Sequence, residues 1–76
     1  MNDVGIGATI ARERRAAGVT QAQLAERLGV TKAAVSKWEL SQSLPDVALL
    51  PRIAAYFGIS LDDLFAFRPQ LAEDEV

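Results

Sequence analysis

The chain of 76 residues contains no cysteine and no histidine. Without cysteine there is no disulfide framework and no thiolate metal site. Without histidine, the commonest general base and the commonest metal ligand are lost together. No glycine-rich phosphate loop is present either. These absences argue against an enzyme and predict no metal and no cofactor. No apolar run approaches the roughly 20 residues needed to cross a bilayer. The start, MNDVGIG, lacks a basic segment followed by an apolar one, so it does not read as a secretion signal. The expectation is a soluble cytoplasmic protein with no membrane partner.

The length suits one small domain. A chain of this size buries only about 60% of its unfolded surface, so stability is modest unless it packs efficiently or associates. The formal net charge is −2, which at first sight disfavours binding to an anionic polymer. The distribution says otherwise. Between Ala11 and Leu40 stand Arg12, Arg14, Arg15, Arg27, Lys32 and Lys37 against Glu13, Glu26 and Glu39, a local +3. The rest carries Arg52 and Arg68 against seven acids, a local −5. A basic front with an acidic back is compatible with DNA, and predicts weak, salt-sensitive binding by one copy alone.

The pattern predicts an all-α fold of five helices, without strand-like alternation and without repeats. The first spans about Ile6 to Ala17, with Ile6, Ile10 and Ala17 on one face and Gly18 past its end. The second follows Thr20, which with Gln23 three residues later makes a capping box, and ends at Leu28 before Gly29. The third is capped by Thr31 and runs to about Leu40. The fourth begins near Asp46, whose carboxylate suits a helix start, or nearer Leu49, which would place Pro51 in the first turn. It ends at Phe57 before Gly58. The fifth is capped by Ser60. The expected core is Ile6, Ile10, Val19, Leu24, Ala25, Leu28, Val30, Val35, Trp38, Leu44, Leu50, Ile53, Ala54, Phe57, Ile59, Leu61, Leu64 and Phe65. Residues 1–67 form the domain, and 68–76 an acidic tail. Phe67 either closes the core or belongs to a dimer patch.

The most informative stretch is Gln21 to Leu40, QAQLAERLGVTKAAVSKWEL. Leu24, Ala25 and Leu28 line one face of the second helix. Ala25 supplies the small side chain that two steeply crossing helices need. Gly29 leaves the helix through a left-handed conformation without steric cost. Val35 and Trp38 turn inward from the third helix. Thr31, Lys32, Ala33, Ser36 and Lys37 face away from the core. Such a helix-turn-helix is the unit that enters the major groove of DNA.

The segments IGATIARERRAAGVTQAQLAERLGV, TKAAVSKWE and SLPDVALLPRIAAYFGISLDDLF resemble the Cro/lambda-repressor-like helix-turn-helix family, the Xre-type transcriptional regulators, over about Ile6 to Phe65. The resemblance implies a compact five-helix domain whose second and third helices form the motif. It implies a double-stranded DNA partner, probed by a homodimer. Gln21 matches the glutamine that bonds a phosphate and braces the reading helix. Thr31, Lys32, Ala33 and Lys37 match positions facing base edges or nearby phosphates. Ala34 and Ser36 match neighbours that touch the backbone, and Ser41 and Gln42 belong to a loop matching a phosphate-contacting one. Arg14 and Glu39 match an ion pair between the first and third helices, which as a surface bridge contributes under ~1 kcal/mol. Lysine donates to guanine O6 and N7, and an alanine methyl offers apolar contact to thymine.

Three departures stand out. Ser41 and Gln42 replace the family's usual glycine after the third helix, which puts a non-glycine residue into a turn. Glu13 replaces a leucine and is expected at the edge of the core. The tail FRPQLAEDEV resembles a lead into a C-terminal effector or oligomerisation domain, as in a longer relative. Simpler readings accompany the sharp ones. Trp38 is expected to pack rather than to stack on bases, and Asp62 and Asp63 favour a helix start rather than a metal. Arg12, Arg14 and Arg15 read first as a charged helix face. Two functions compete: a sequence-specific regulator, expected to repress, and an antitoxin-like or adaptor module that uses the same fold to bind protein.

Overall fold

The computed structural model describes residues 5–66. The readings of residues 1–4, of Phe67 and of the tail at 68–76 fall outside them. Five α-helices follow in order: α1 (Ile6–Ala17), α2 (Gln21–Leu28), α3 (Lys32–Glu39), α4 (Leu50–Phe57) and α5 (Leu61–Phe65), with a 3₁₀ turn at Val47–Leu49 before α4. No strand occurs among the described residues.

The helix starts follow local chemistry. Thr20 Oγ1 accepts the Gln23 N–H at 3.0 Å while Gln23 Oε1 accepts the Thr20 N–H at 2.8 Å, which completes the expected capping box. Thr31 Oγ1 accepts from the Ala34 N–H at 3.1 Å. Ser60 caps α5, and Asp63 returns the bond to the Ser60 N–H, so α5 too opens on a capping box. Between the two starts weighed for the fourth helix, the later one holds. Pro51 lies in the first turn of α4, where its missing N–H breaks no helical bond. The expected Asp46 carboxylate cap is absent. The Asp46 carbonyl accepts the Leu49 N–H at 2.8 Å and closes the 3₁₀ turn from the backbone instead.

Ile10, Leu24, Val35, Ile53 and Leu64, one from each α-helix, are fully buried and form the centre of the core. Trp38 joins them as a packing residue. Three expected core residues do not, the first of them Val19, which is half-buried but outside the packed cluster. Leu44 is 67% exposed, and Pro45 is buried beside it. A residue before proline is held extended, so adjacent side chains diverge and only one of the two turns inward. Leu61 is 43% exposed: it is the first residue of a five-residue helix whose inward position is taken by Leu64. Ala17, at the end of α1, is exposed rather than on the buried face. Glu13 sits half-buried at the core edge as expected, its carboxylate 3.6 Å from Arg12.

Thr9 is the one polar residue buried as a whole among the described residues, and its hydroxyl finds no partner among them. The Gly5 carbonyl one turn back accepts the Thr9 N–H at 2.9 Å. An unpartnered buried hydroxyl costs roughly 1–3 kcal/mol. Thr9→Val keeps the shape and removes the hydroxyl. We expect stabilisation by about 1 kcal/mol, read as a rise of roughly 4 °C or more in a thermal melt. A lowered melting temperature would mean that the hydroxyl has a hydrogen-bond partner.

Candidate nucleic-acid interface

α3 is fixed from two sides. α2 hands the chain over through Gly29 at φ 75°, and the Val30 N–H donates back to the Ala25 carbonyl at 2.9 Å. On the inner side of α3, Val35 and Trp38 are buried. At 100° per residue, Lys32, Ala33, Ser36 and Lys37 then fall on an outward arc of about 140°. Lys32, Ala33 and Lys37 are exposed, as is the cap Thr31. Ser36 is half-buried. Ala34 is half-buried and packs against the core, and its N–H is held by Thr31, so it lies at the margin of this surface.

The end of α3 has its own geometry. The Ser41 N–H donates to the Trp38 carbonyl at 3.0 Å and the Gln42 N–H to the Lys37 carbonyl at 2.8 Å. This is a Schellman ending with Ser41 in the left-handed region at φ 61°. A side chain there costs roughly 1 kcal/mol more than glycine, the penalty anticipated from the missing family glycine. Ser41 and Gln42 are both exposed beside the end of the α3 arc.

α1, α2 and α3 are joined by one polar cluster. Arg14 donates from Nε to Glu39 Oε2 at 2.6 Å and from a terminal nitrogen to Oε1 at 3.1 Å. Its other terminal nitrogen donates to the Val19 carbonyl at 3.0 Å. Gln21 Nε2 donates to Glu39 Oε1 at 3.0 Å. The Arg14 and Glu39 side chains are only 13% and 6% exposed, so this is a buried pair and not the surface bridge expected from the resemblance. Burial alone would push the Glu39 carboxyl up. The hydrogen bonds from Arg14 and Gln21, with the charges of Arg14 and Arg15, outweigh it and hold the group below the ordinary glutamate value. The hydrogen bond to Glu39 also holds Arg14 protonated more firmly than usual, against the opposing effect of burial.

The cluster changes the charge count of the basic front. Arg14 is engaged by Glu39, Arg12 lies near Glu13, and Arg27 lies 5.8 Å over the Tyr56 ring of α4. Arg15, Lys32 and Lys37 are exposed and make no ion pair among the described residues. The Arg27–Tyr56 contact joins residues 29 positions apart, and no local pattern in the sequence marks it. The described residues enclose no ligand-sized pocket.

The model of the helix-turn-helix family matches residues 10–64. The chain is 38% identical over 53 residues to the HTH-type transcriptional activator BcrR of Enterococcus faecalis, covering 70% of this chain and 26% of that protein. It is 36% identical over 55 residues to the cryptic phage CTXphi transcriptional repressor RstR of Vibrio cholerae, covering 72% of this chain and 49% of that protein. It thus spans half or less of the length of these two relatives. Among solved structures, the P22 c2 repressor in complex with a synthetic operator superposes with a TM-score of 0.75 at 28% identity, over 84% of this chain and 96% of that one. With α2 and α3 as the motif in an all-helical, lambda-repressor-like domain, the chain belongs to the Xre/Cro-type helix-turn-helix family of DNA-binding transcriptional regulators.

Proposed function

We propose that this protein is a cytoplasmic transcriptional repressor that reads the major groove with α3, as a homodimer on an inverted repeat, without enzymatic activity or cofactor. The observation that carries the reading is the outward arc of Lys32, Ala33 and Lys37, with the exposed cap Thr31 before it, on a helix anchored by Val35 and Trp38. In this reading Lys32 and Lys37 donate to guanine edges or nearby phosphates, and the Ala33 methyl meets thymine. Gln21, Ser36, Ser41 and Gln42 touch the sugar-phosphate backbone, with Ala34 at the margin. Such contacts fix register on the duplex without carrying sequence information.

Two features support a second copy. With Lys32 and Lys37 as the basic residues of the outward arc, a single domain has few phosphate contacts to give. Leu44 and Val47, 67% and 78% exposed, stand on the segment that follows α3 and offer apolar surface to a symmetry mate. Two copies would then place their reading helices about 34 Å apart, one turn of the duplex. Repression follows the names of RstR and the P22 c2 protein, whereas BcrR is named an activator.

The test is selection from a pool of random duplexes by the parent chain and by Lys32→Ala/Lys37→Ala, at two salt concentrations. The parent is expected to enrich an inverted repeat, and the double variant to lose that enrichment while remaining folded. Each lysine lost from a phosphate contact should also lower the salt slope by about 0.9. Sequence-blind retention that vanishes with salt, equal in parent and variant, would overturn the reading and favour the protein-binding module.

A further inference from the structure

Glu39 lies on the reading helix yet carries the wrong charge for DNA, and it is held 6% exposed at the junction of α1, α2 and α3. Its carboxylate has only acceptors. It takes two bonds from Arg14 and one from Gln21 Nε2. An amide side chain is otherwise free to flip, because its oxygen and nitrogen ends have the same shape. Facing a carboxylate it has one choice: the NH₂ group turns to Glu39, and the carbonyl oxygen turns away. One Nε2 hydrogen is used, and the second is left over. Gln21 is itself the first residue of α2, with a backbone N–H that has no helical acceptor.

We propose that Glu39, clamped by Arg14, is a positioning residue for DNA binding: it fixes the flip of the Gln21 amide so that the free Nε2–H is presented to a backbone phosphate. The proposal rests on the reading of α2 and α3 as the DNA-contacting elements. Arg14 has two parts in it. It neutralises Glu39, so that an acid on the reading helix does not repel the duplex. Its bidentate grip also fixes the carboxylate plane that Gln21 meets. In place of the carboxylate, a carboxamide at position 39 offers Gln21 either an oxygen or an NH₂, and the amide flip is no longer set.

The sign of the effect separates this from a bystander role. Removing an acid near DNA strengthens binding if charge alone matters. Losing the Gln21 orientation weakens it. The probe is a mixed-sequence duplex of about 30 base pairs, titrated by fluorescence anisotropy at several salt concentrations, since phosphate contacts act on any sequence. Glu39→Gln is expected to weaken binding about tenfold or more, the loss of one hydrogen bond to a charged group. Gln21→Ala is expected to weaken it similarly, and the double variant no further than Gln21→Ala alone. The salt slope should stay unchanged in Gln21→Ala, because a neutral amide displaces no counterion.

Arg14→Met/Glu39→Leu guards against a folding defect. It removes both charges together, leaves the net charge unaltered and replaces a buried pair by apolar side chains, which is commonly tolerated. It should show the same weakening, with far-ultraviolet circular dichroism like that of the parent. Tighter binding by Glu39→Gln, or losses that add in the double variant, would overturn the proposal while leaving DNA binding in place. A parent that binds no duplex overturns the functional reading and this proposal with it.

Discussion

Gly7→Ala is expected to destabilise the fold by about 3 kcal/mol or more, although alanine is the better helix former. A glycine inside a helix ordinarily costs about 1 kcal/mol against alanine, so on propensity alone the substitution should help. Space decides otherwise. Gly7 is buried where α1 meets the end of α3, and a Cβ built there collides with the Trp38 carbonyl oxygen. That oxygen is backbone, and it accepts the Ser41 N–H at 3.0 Å in the turn that ends α3. It has no rotamer to escape into. Either α1 and α3 move apart, which loosens Ile6 and Ile10 against Trp38, or the ending of α3 breaks. Overpacking of this kind costs roughly 1–3 kcal/mol against a flexible neighbour, and more against a rigid one. A domain of this size has about 4–11 kcal/mol in total.

Urea unfolding followed by circular dichroism would show it, with Gly18→Ala as the control. Gly18 has a positive φ of 74° but open space around its missing Cβ, so its substitution should cost only about 1 kcal/mol. A Gly7→Ala variant no less stable than Gly18→Ala would mean that the two helices slide apart freely. That approach sets how α3 sits on the domain, so a variant that stays folded is also expected to bind DNA less well.

Gly7 also marks the limit of what the sequence discloses. Signals that act over three or four residues were readable: the Thr20–Gln23 box, the Gly29 exit, the Thr31 and Ser60 caps, and the inward faces of α2 and α3. Each is decided by local backbone chemistry or by a helical period. The outward positions of Lys32, Ala33 and Lys37 follow from the same period once Val35 and Trp38 are placed inside, whereas Thr31 is exposed as the extended cap that precedes α3. What escaped depends on residues distant in sequence. Gly7 is close-packed because of a carbonyl 31 residues on. Arg27 meets Tyr56 across two helices. Leu44 and Pro45 compete for one inward direction, and hydrophobicity alone picks the wrong one. The Arg14–Glu39 pair was legible as a pairing through the family resemblance. Its burial was not, because a charged residue reads as surface until its neighbours are known.

That burial predicts a second large effect. Arg14→Met is expected to cost about 3 kcal/mol at pH 7, because it leaves the Glu39 carboxylate buried without its counter-charge. The dependence on pH identifies the cause. In the parent, Glu39 is held below its ordinary value, so its contribution to stability is present above that value and is lost as pH falls through the lowered one. In Arg14→Met, burial acts with less opposition and the Glu39 carboxyl moves up. A group raised in the folded state contributes stability at low pH and loses it as pH rises. The two shifts have opposite signs, so the stability gap between parent and variant is widest at neutral pH and narrows as pH falls through the ordinary glutamate range near 4.5. Glu13, Glu26, Asp46, Asp62 and Asp63 are present in both proteins and cancel to first order in the difference. Chemical denaturation of both chains from pH 7 down to about pH 3.5 tests this directly. A gap that stays constant over the range would assign the loss to the packing of the arginine stem rather than to its charge. A gap that closes would show that charge pairing holds the end of α3 against the rest of the domain.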